Sequence, residues 1–417
     1  MKKAAALIAI VLIIILNISA VFAESLNLDA KAYVLIDKHS GQILYDFNGD
    51  KRIFPASTTK IVTAIVALEL GKPDQVMTAS LAAVNDIGEN GSNIGILAGE
   101  KFTMKDLLKA LLIRSANETA NIIAENLCPK RQDFIDLMNK KAKELGAEDT
   151  HFVNACGIHD DNHYTTANDL AKFTRYAMTL QTFRDIVSEK YLTMPVTGKH
   201  PSWPVMVTTN KLLFSKSEYY TKVIGVKTGY TSQAGNNLIS DAVNDKGMEL
   251  IAVLIGAAHG EREKYSKELL EYGFKNFSVQ SIIKRKEVVK SIKVADSSDE
   301  KALDLIAAKS LSTVLPKDKS KWDLKVVKQI KKNIEAPVKK GDTLGYIQYE
   351  RKGIILGKVD LTASKSVSKK FSAKVRDTFG GIFQLKLFVR IVITLIILAG
   401  ALLVLKPVLK KVYRKLN

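Results

Sequence analysis

The chain has 417 residues, long enough for two or three domains with cores of their own. Its formal net charge of +19 is spread along the chain and comes with no nucleic-acid-binding motif, so nucleic acid is excluded as a partner, whereas an anionic cell wall or membrane surface suits it. Only two cysteines are present, Cys128 and Cys156; export would permit a bridge, the spacing demands none, and two free thiols are the favoured reading over a pair.

The N-terminal stretch "MKKAAALIAIVLIIILNISAVFA" has two lysines, a long apolar run, and the small residues Val21 and Ala23 before Glu24. It reads as a signal peptide over residues 1–23, cleaved after Ala23, so the rest of the chain is exported. "AYVLID" and "QILYD" then predict two short strands joined as a hairpin through "KHSG". "FPASTTKIVTAIVALEL" opens a helix at Ser57. Ile61, Val62, Ile65, Val66 and Leu68 recur at helical spacing, and Gly71 with Pro73 supplies the stop. Its first turn carries Ser57 and, three residues on, Lys60. An ammonium against an apolar helix is costly unless something uses it.

"TMKDLLKALLIRSAN" begins with Thr103 and Asp106 in a capping-box arrangement and continues as an apolar stripe, delivering Ser115–Asn117 into a loop before the helical "ETANIIAENL". Helical patterns run on to about Val187. Between them, His159 and His163 in "HDDNH" stand four apart. With no third ligand in view they read as a polar surface loop, and no metal or cofactor is expected. From Lys222 the period changes to that of strands: "KVIGVKTG", "NLISDAV" and "MELIAVLIG", the last two a hairpin across "NDKG". Strands at both ends with helices between predict an α/β domain with an antiparallel sheet and a helical cluster over residues 27–277.

Short β-like runs with lysine-rich turns follow: "KSIKVAD", "DLKVVKQI", "DTLGYIQYE" and "GIILGKVDLTAS". They predict a small all-β domain over 282–368. A linker over 369–386 leads to "LFVRIVITLIILAGALLVL", Leu387 to Leu405, which reaches about 28 Å as a helix and reads as a transmembrane anchor. Lys406, Lys410, Lys411, Arg414 and Lys415 make residues 406–417 a basic cytoplasmic tail and place the body outside.

Three short elements thus stand in order: Ser57-Thr58-Thr59-Lys60, Ser115-Ala116-Asn117 and Lys227-Thr228-Gly229. Each alone is weak; all three, each in its helix, loop or strand context, are specific. On a helix Ser57 and Lys60 lie one turn apart on the same face. A serine hydroxyl needs a base, and a lysine is one only when its pKa is lowered. Burial on the apolar helix, with Lys227 as neighbouring cation, is the expected cause. A simple N-cap explains Ser57 but not Lys60.

This ordered set is the signature shared by class A β-lactamases and penicillin-binding proteins. The chain resembles, over nearly its whole length, the low-molecular-mass penicillin-binding proteins that act as D-alanyl-D-alanine carboxypeptidases. "FPASTTK", "LLIRSANETA", "HDDNHYTTANDLAKF" and "GVKTGYTSQAGNNL" carry the resemblance, as does the layout of signal, catalytic domain, β domain and anchor. One departure is Ala116, where many members have glycine.

The resemblance implies a penicillin-binding/β-lactamase-like fold and these roles. Ser57 attacks the carbonyl between two D-alanines of a peptidoglycan stem peptide, and Lys60 takes its proton. Ser115 relays a proton toward the leaving amine, and Asn117 holds the peptide amide. The backbone N–H groups of Ser57 and Tyr230 form the oxyanion hole. Lys227, Thr228 and Gly229 line the substrate strand, and Arg262 in "HGEREKYS" pairs with the terminal carboxylate. β-Lactam antibiotics enter the same route as covalent inhibitors.

Other readings are a DD-endopeptidase cutting cross-links, which the same motifs allow, a β-lactamase, and a catalytically idle wall-binding protein. "FVNACGIHDD" offers no Glu-x-x-Leu-Asn pattern for the deacylating glutamate of a class A β-lactamase. Intact Ser57, Lys60 and Lys227 speak against the idle protein.

Overall fold

The computed structural model describes residues 26–299 and 302–416. The signal peptide read at residues 1–23 lies outside the described residues. The chain divides into two units, one reaching to Ser278 together with Val314–Lys319, the other comprising Val279–Thr313 and the chain from Ser320 onward.

In the first unit, β1 (Ala32–Asp37) and β2 (Ile43–Phe47) form the expected hairpin. The predicted helix at Ser57 opens instead as a 3₁₀ turn (Ala56–Thr59), and α1 proper is Lys60–Leu70. Short strands β3 (Val76–Thr78) and β4 (Lys101–Thr103) pair, with α2 (Leu81–Asn85) between them in sequence. The expected capping box starts α3 (Met104–Lys109): Asp106 N–H donates to Thr103 Oγ1 at 3.1 Å and Thr103 N–H to Asp106 Oδ2 at 3.2 Å. The helix then widens into a π turn (Ala110–Arg114) that ends at Ser115 in the left-handed region, φ 65°. Helices α4 (Asn117–Leu127), α5 (Arg131–Glu144), α6 (Ala167–Ala177) and α7 (Gln181–Ser188) complete the cluster. After the short pair β5 (Tyr191–Leu192) and β6 (Met206–Val207) come β7 (Val223–Thr231), β8 (Gly235–Val243), β9 (Glu249–Ala257) and α8 (Arg262–Asn276).

The main sheet is antiparallel, in the order β2-β1-β9-β8-β7. Its strands alternate between two cores, as a period of two requires. Val34, Ile36, Ile239, Ile251 and Val253 face the helical cluster with Ile61, Ile65 and Phe173, whereas Tyr33, Leu35, Leu238, Leu250 and Leu254 pack with Leu269 and Leu270 of α8. Each such buried aliphatic side chain is worth about 1.5–3 kcal/mol. Because β7 is an edge strand, one side of its backbone is left for something other than the sheet.

Strands β10 (Phe277–Ile283), β11 (Val288–Ile292), β12 (Leu303–Ala307), β13 (Leu311–Pro316), β14 (Lys325–Ile330), β15 (Thr343–Arg351) and β16 (Ile354–Ala363) follow. The second unit is built on the antiparallel sheet β11-β12-β16-β15-β14, whose inner face buries Leu303, Leu305, Ile347, Val359 and Leu361. Strands β10, β12 and β13 were not anticipated. β12, "LDLIA", is short and carries Asp304 outward between its buried leucines. The stretch read as a linker is helical from Phe371, continuous with the apolar segment as α9 (Phe371–Leu416). No proline interrupts it before Pro407, and Arg376 pairs with Asp296 of the same unit at 2.5 Å. Within α9, Leu385–Pro407 is long and apolar enough to cross a membrane.

Candidate active site

Ser57 is the partly exposed residue on an otherwise buried turn. Its position depends on Ala56, which adopts a left-handed φ of 49°, a conformation costing a non-glycine residue about 1 kcal/mol or more. Thr59 holds that turn by donating from Oγ1 to the Ala56 carbonyl at 2.9 Å. Behind it stands His163, which is buried and does not belong to a surface loop as the sequence suggested. Val153 N–H donates to His163 Nδ1 at 3.2 Å, so the ring proton sits on Nε2 and meets Thr59 Oγ1 at 2.8 Å. Burial pulls the imidazole down to about 3, which keeps it neutral. Gly157 passes so close that a Cβ there would lie 1.9 Å from the Ala56 carbonyl oxygen, so only glycine fits.

Lys60 is fully buried, and its ammonium has three partners: Ser57 Oγ at 2.9 Å, Asn117 Oδ1 at 2.7 Å and the Cys156 carbonyl at 2.7 Å. Burial pulls its pKa down to about 8. The expected help from Lys227 is not what lowers Lys60; the repulsion is felt at Lys227, which burial, then Lys60, then Arg262 push well below the ordinary lysine range. Lys227 donates to the Thr228 carbonyl at 2.8 Å.

Asn117 Oδ1 accepts from Lys60 and its Nδ2 donates to the Ile87 carbonyl at 2.7 Å, one bond at each end of an amide that has two donors and two lone pairs. Ser115 is buried at the end of the π turn, and its hydroxyl makes no hydrogen bond to Ser57 or Lys60 among the described residues. Next to Asn117, the buried Glu118 accepts Ile94 N–H at 2.7 Å and so braces the loop facing the site.

The edge strand β7 comes against the turn that carries Ser57 at Gly229, where a Cβ would lie 3.2 Å from both Ser57 N and the Pro55 carbonyl oxygen. Glycine at this position lets the strand approach. Asn237 on β8 fixes the same junction, donating to the Pro55 carbonyl at 3.1 Å and accepting Gly256 N–H at 2.9 Å. Tyr230 follows with its side chain out in solvent. Thr228 Oγ1 lies 2.7 Å from Thr209 Oγ1. Arg262, the first residue of α8, is held by Glu263 at 2.8 Å and reaches the Thr209 carbonyl at 3.5 Å.

Sequence reasoning missed Thr209, Asn237, Glu118, Glu263 and the Cys156 carbonyl. Of these only Thr209 lay outside every quoted stretch; Glu118, Asn237, Glu263 and Cys156 stood inside motifs but carried no signal of their own. Cys128 and Cys156 are buried free thiols, as read. Among the described residues no cluster of three or more His, Cys, Asp or Glu side chains is placed to hold a metal.

A serine on a tight turn, touched by a buried low-pKa lysine and flanked by an edge strand, on a sheet with helices on both faces, defines the class: a serine hydrolase with the penicillin-binding/β-lactamase-like fold. Residues 19–259 match the family described as D-alanyl-D-alanine carboxypeptidase, and residues 277–369 match penicillin-binding protein 5, C-terminal domain. The chain belongs to the D-alanyl-D-alanine carboxypeptidase family.

It is 32% identical over 362 residues to the D-alanyl-D-alanine carboxypeptidase DacF of Bacillus subtilis, covering 84% of this chain and 90% of that one. It is 29% identical over 350 residues to DacA of Haemophilus influenzae, covering 82% and 86%. Among solved structures, penicillin binding protein 5 from Haemophilus influenzae superposes with a TM-score of 0.65 at 27% identity, covering 83% of this chain and 100% of that one. Penicillin binding protein 6B from Escherichia coli gives 0.61 at 26%, covering 81% and 96%.

Proposed function

We propose that this chain is a serine-type D-Ala-D-Ala carboxypeptidase that trims the terminal D-alanine from peptidoglycan stem pentapeptides. The observation that carries the reading is the 2.9 Å contact between Lys60 Nζ and Ser57 Oγ, made by a lysine whose pKa burial has lowered to about 8. The other two partners of that nitrogen, an amide oxygen and a carbonyl oxygen, can only accept. When Lys60 loses its proton, its two remaining hydrogens stay on those oxygens and its lone pair faces Ser57. The amine is thereby oriented as a base.

Ser57 Oγ then attacks the penultimate D-alanine carbonyl while its proton passes to Lys60. Negative charge gathers on the carbonyl oxygen, for which the N–H groups of Ser57 and Tyr230 are the donors we assign. The first is free of an intrahelical acceptor because it starts a 3₁₀ turn, and the second lies on an edge strand. The C–N bond breaks, the leaving amine takes a proton from Lys60 with Ser115 as relay, and D-alanine departs. Water hydrolyses the ester. Thr228 and Arg262 read the terminal carboxylate, and Lys227 stands beside them on the substrate strand as a donor. β-Lactams follow the same first step and remain as the acyl-enzyme.

The family acts on the cell wall, so the catalytic unit works outside the cytoplasm. Export by the N-terminal signal and anchoring through α9 complete the proposal, supported by the apolar span Leu385–Pro407 and the basic residues after it.

The test is intact-mass spectrometry after penicillin treatment, with pentapeptide product analysis. Wild type should gain one adduct at Ser57 and release D-alanine. Lys60→Arg keeps the charge yet should gain none, because a guanidinium is no base near neutral pH. A fully labelled Lys60→Arg chain would remove the lysine from its role.

A further inference from the structure

We propose that Thr209 is a positioning residue of the carboxylate subsite, which sets the hydroxyl of Thr228 and the guanidinium of Arg262 for the end of the peptide. The proposal rests on the carboxypeptidase reading above.

Thr209 is bonded to three elements of the site at once. Its N–H donates to the Ile113 carbonyl at 3.1 Å, in the π turn that ends at Ser115. Its hydroxyl lies 2.7 Å from the Thr228 hydroxyl on β7. Its carbonyl oxygen is 3.5 Å from Arg262 Nη2 at the start of α8. Arg262 also gives its Nε–H to Glu263 at 2.8 Å, so the guanidinium is steered from two sides.

The backbone on either side of Thr209 is fixed. Thr208 N–H donates to the Lys190 carbonyl at 2.9 Å, and Asn210 accepts Leu212 N–H at 3.1 Å as the cap of the next 3₁₀ turn. Thr208 and Asn210 are buried, whereas Thr209 itself is partly exposed.

Two hydroxyls in contact share one proton between them, and its direction matters. A carboxylate only accepts, so a bound peptide end requires the Thr228 proton. Thr228 can supply it only if Thr209 is the donor of their mutual bond. The row Thr209 O–H to Thr228 O–H to carboxylate then polarises in one sense, each bond strengthening the next. Nothing in the local sequence "TTNKLL" announces this, because the partners come from residues 19 and 53 positions away.

The experiment uses the full chain with Thr209→Val, which keeps shape but removes the hydroxyl, and Thr209→Ser, which restores it. Acylation rates are followed by intact-mass spectrometry with benzylpenicillin and with its methyl ester, which lacks the carboxylate. Thr209→Val should slow the free acid about tenfold and leave the already slow ester unchanged, and Thr209→Ser should recover the wild-type ratio. Both rates come from one preparation, so the acid-to-ester ratio is independent of how much of a variant folds. An unchanged ratio in Thr209→Val, whether both rates hold or both fall, overturns the proposal while leaving the enzyme reading intact. A wild-type chain that takes up no penicillin sinks the enzyme reading, and the role of Thr209 with it.

Discussion

Lys60 Nζ and Asn117 Oδ1 stand 2.7 Å apart, and the contact ties the helix beginning at the nucleophile's turn to the helix that follows Ser115. The Asn117 amide is oriented by its bond to the Ile87 carbonyl, so it can present only oxygen to the lysine. A neutral acceptor here stabilises the ammonium less than a carboxylate would, which leaves burial free to lower its pKa.

The rate of acylation should therefore rise about tenfold per pH unit below about 8 and level above it, as the free amine of Lys60 accumulates. Asn117→Asp would place a negative charge against the ammonium and hold the proton on. Its rise should move to higher pH, with acylation at neutral pH lower by about tenfold or more. Stopped-flow rates across pH on both proteins check this, and coincident profiles would show that Asn117 does not set the base.

Arg262 should be felt by the end of the peptide and nowhere else. Arg262→Ala is expected to lose about 2–4 kcal/mol of transition-state stabilisation toward the pentapeptide, the range for truncating one member of a charge pair. A C-terminally amidated peptide should be poor with wild type and scarcely worse with the variant. Measuring kcat/KM for both peptides on both proteins closes the cycle. Equal losses on the two peptides would mean that Arg262 supports the fold near Glu263 and does not read the carboxylate.

Ending the chain near Gly381 should release an active, soluble enzyme. The site's residues all lie upstream of Phe277, and the strands of the second unit end at Ala363. What remains of α9 is its polar first part, beginning at Phe371 and lacking the span Leu385–Pro407. Fractionation that still found the truncated protein in membranes would point to an uncleaved N-terminal segment or to another lipid-binding surface.

Much of this was legible because it is local. The Thr103–Asp106 capping box, the alternation in β7 to β9 and the one-turn spacing of Ser57 and Lys60 are all written within a few residues of themselves. What stayed hidden depends on tertiary neighbours. The Cys156 carbonyl that holds Lys60 is a backbone atom with no residue signature. His163 looked polar among Asp160, Asp161 and Asn162, yet Thr59 and Val153 bury and satisfy both of its nitrogens. The widening of α3 into a π turn, which aims Ser115, has no mark in an apolar stripe that suits an α-helix equally well. The family resemblance pointed to Ser57, Lys60, Ser115 and Asn117, and the packing adds that the Asn117 amide oxygen holds the Lys60 nitrogen.

Asp241 carries the last prediction. It sits on β8 facing the helical cluster, fully buried, with the carboxyl of Glu249 as its side-chain hydrogen-bond neighbour. Burial first, and the negative charge of Glu249 second, hold it well above the carboxylate range. Burial opposes the charge on Glu249 too, but Arg184 at 2.6 Å and Lys38 at 3.6 Å prevail and keep that carboxyl ionised. From the ordinary carboxylate range upward, the folded chain thus keeps a proton on Asp241 that the unfolded chain releases. Stability must then fall as pH rises through that window, by at most about 1.4 kcal/mol per pH unit from this one group. Asp241→Asn is the same shape without the proton and should lose that part of the slope. Urea midpoints on both proteins from the ordinary carboxylate range upward measure it. Because Lys60 and Lys227 titrate alike in the two chains, the difference between the slopes isolates Asp241. Parallel slopes would mean that Asp241 is ionised inside the fold, with Arg184 and Lys38 outweighing burial and Glu249.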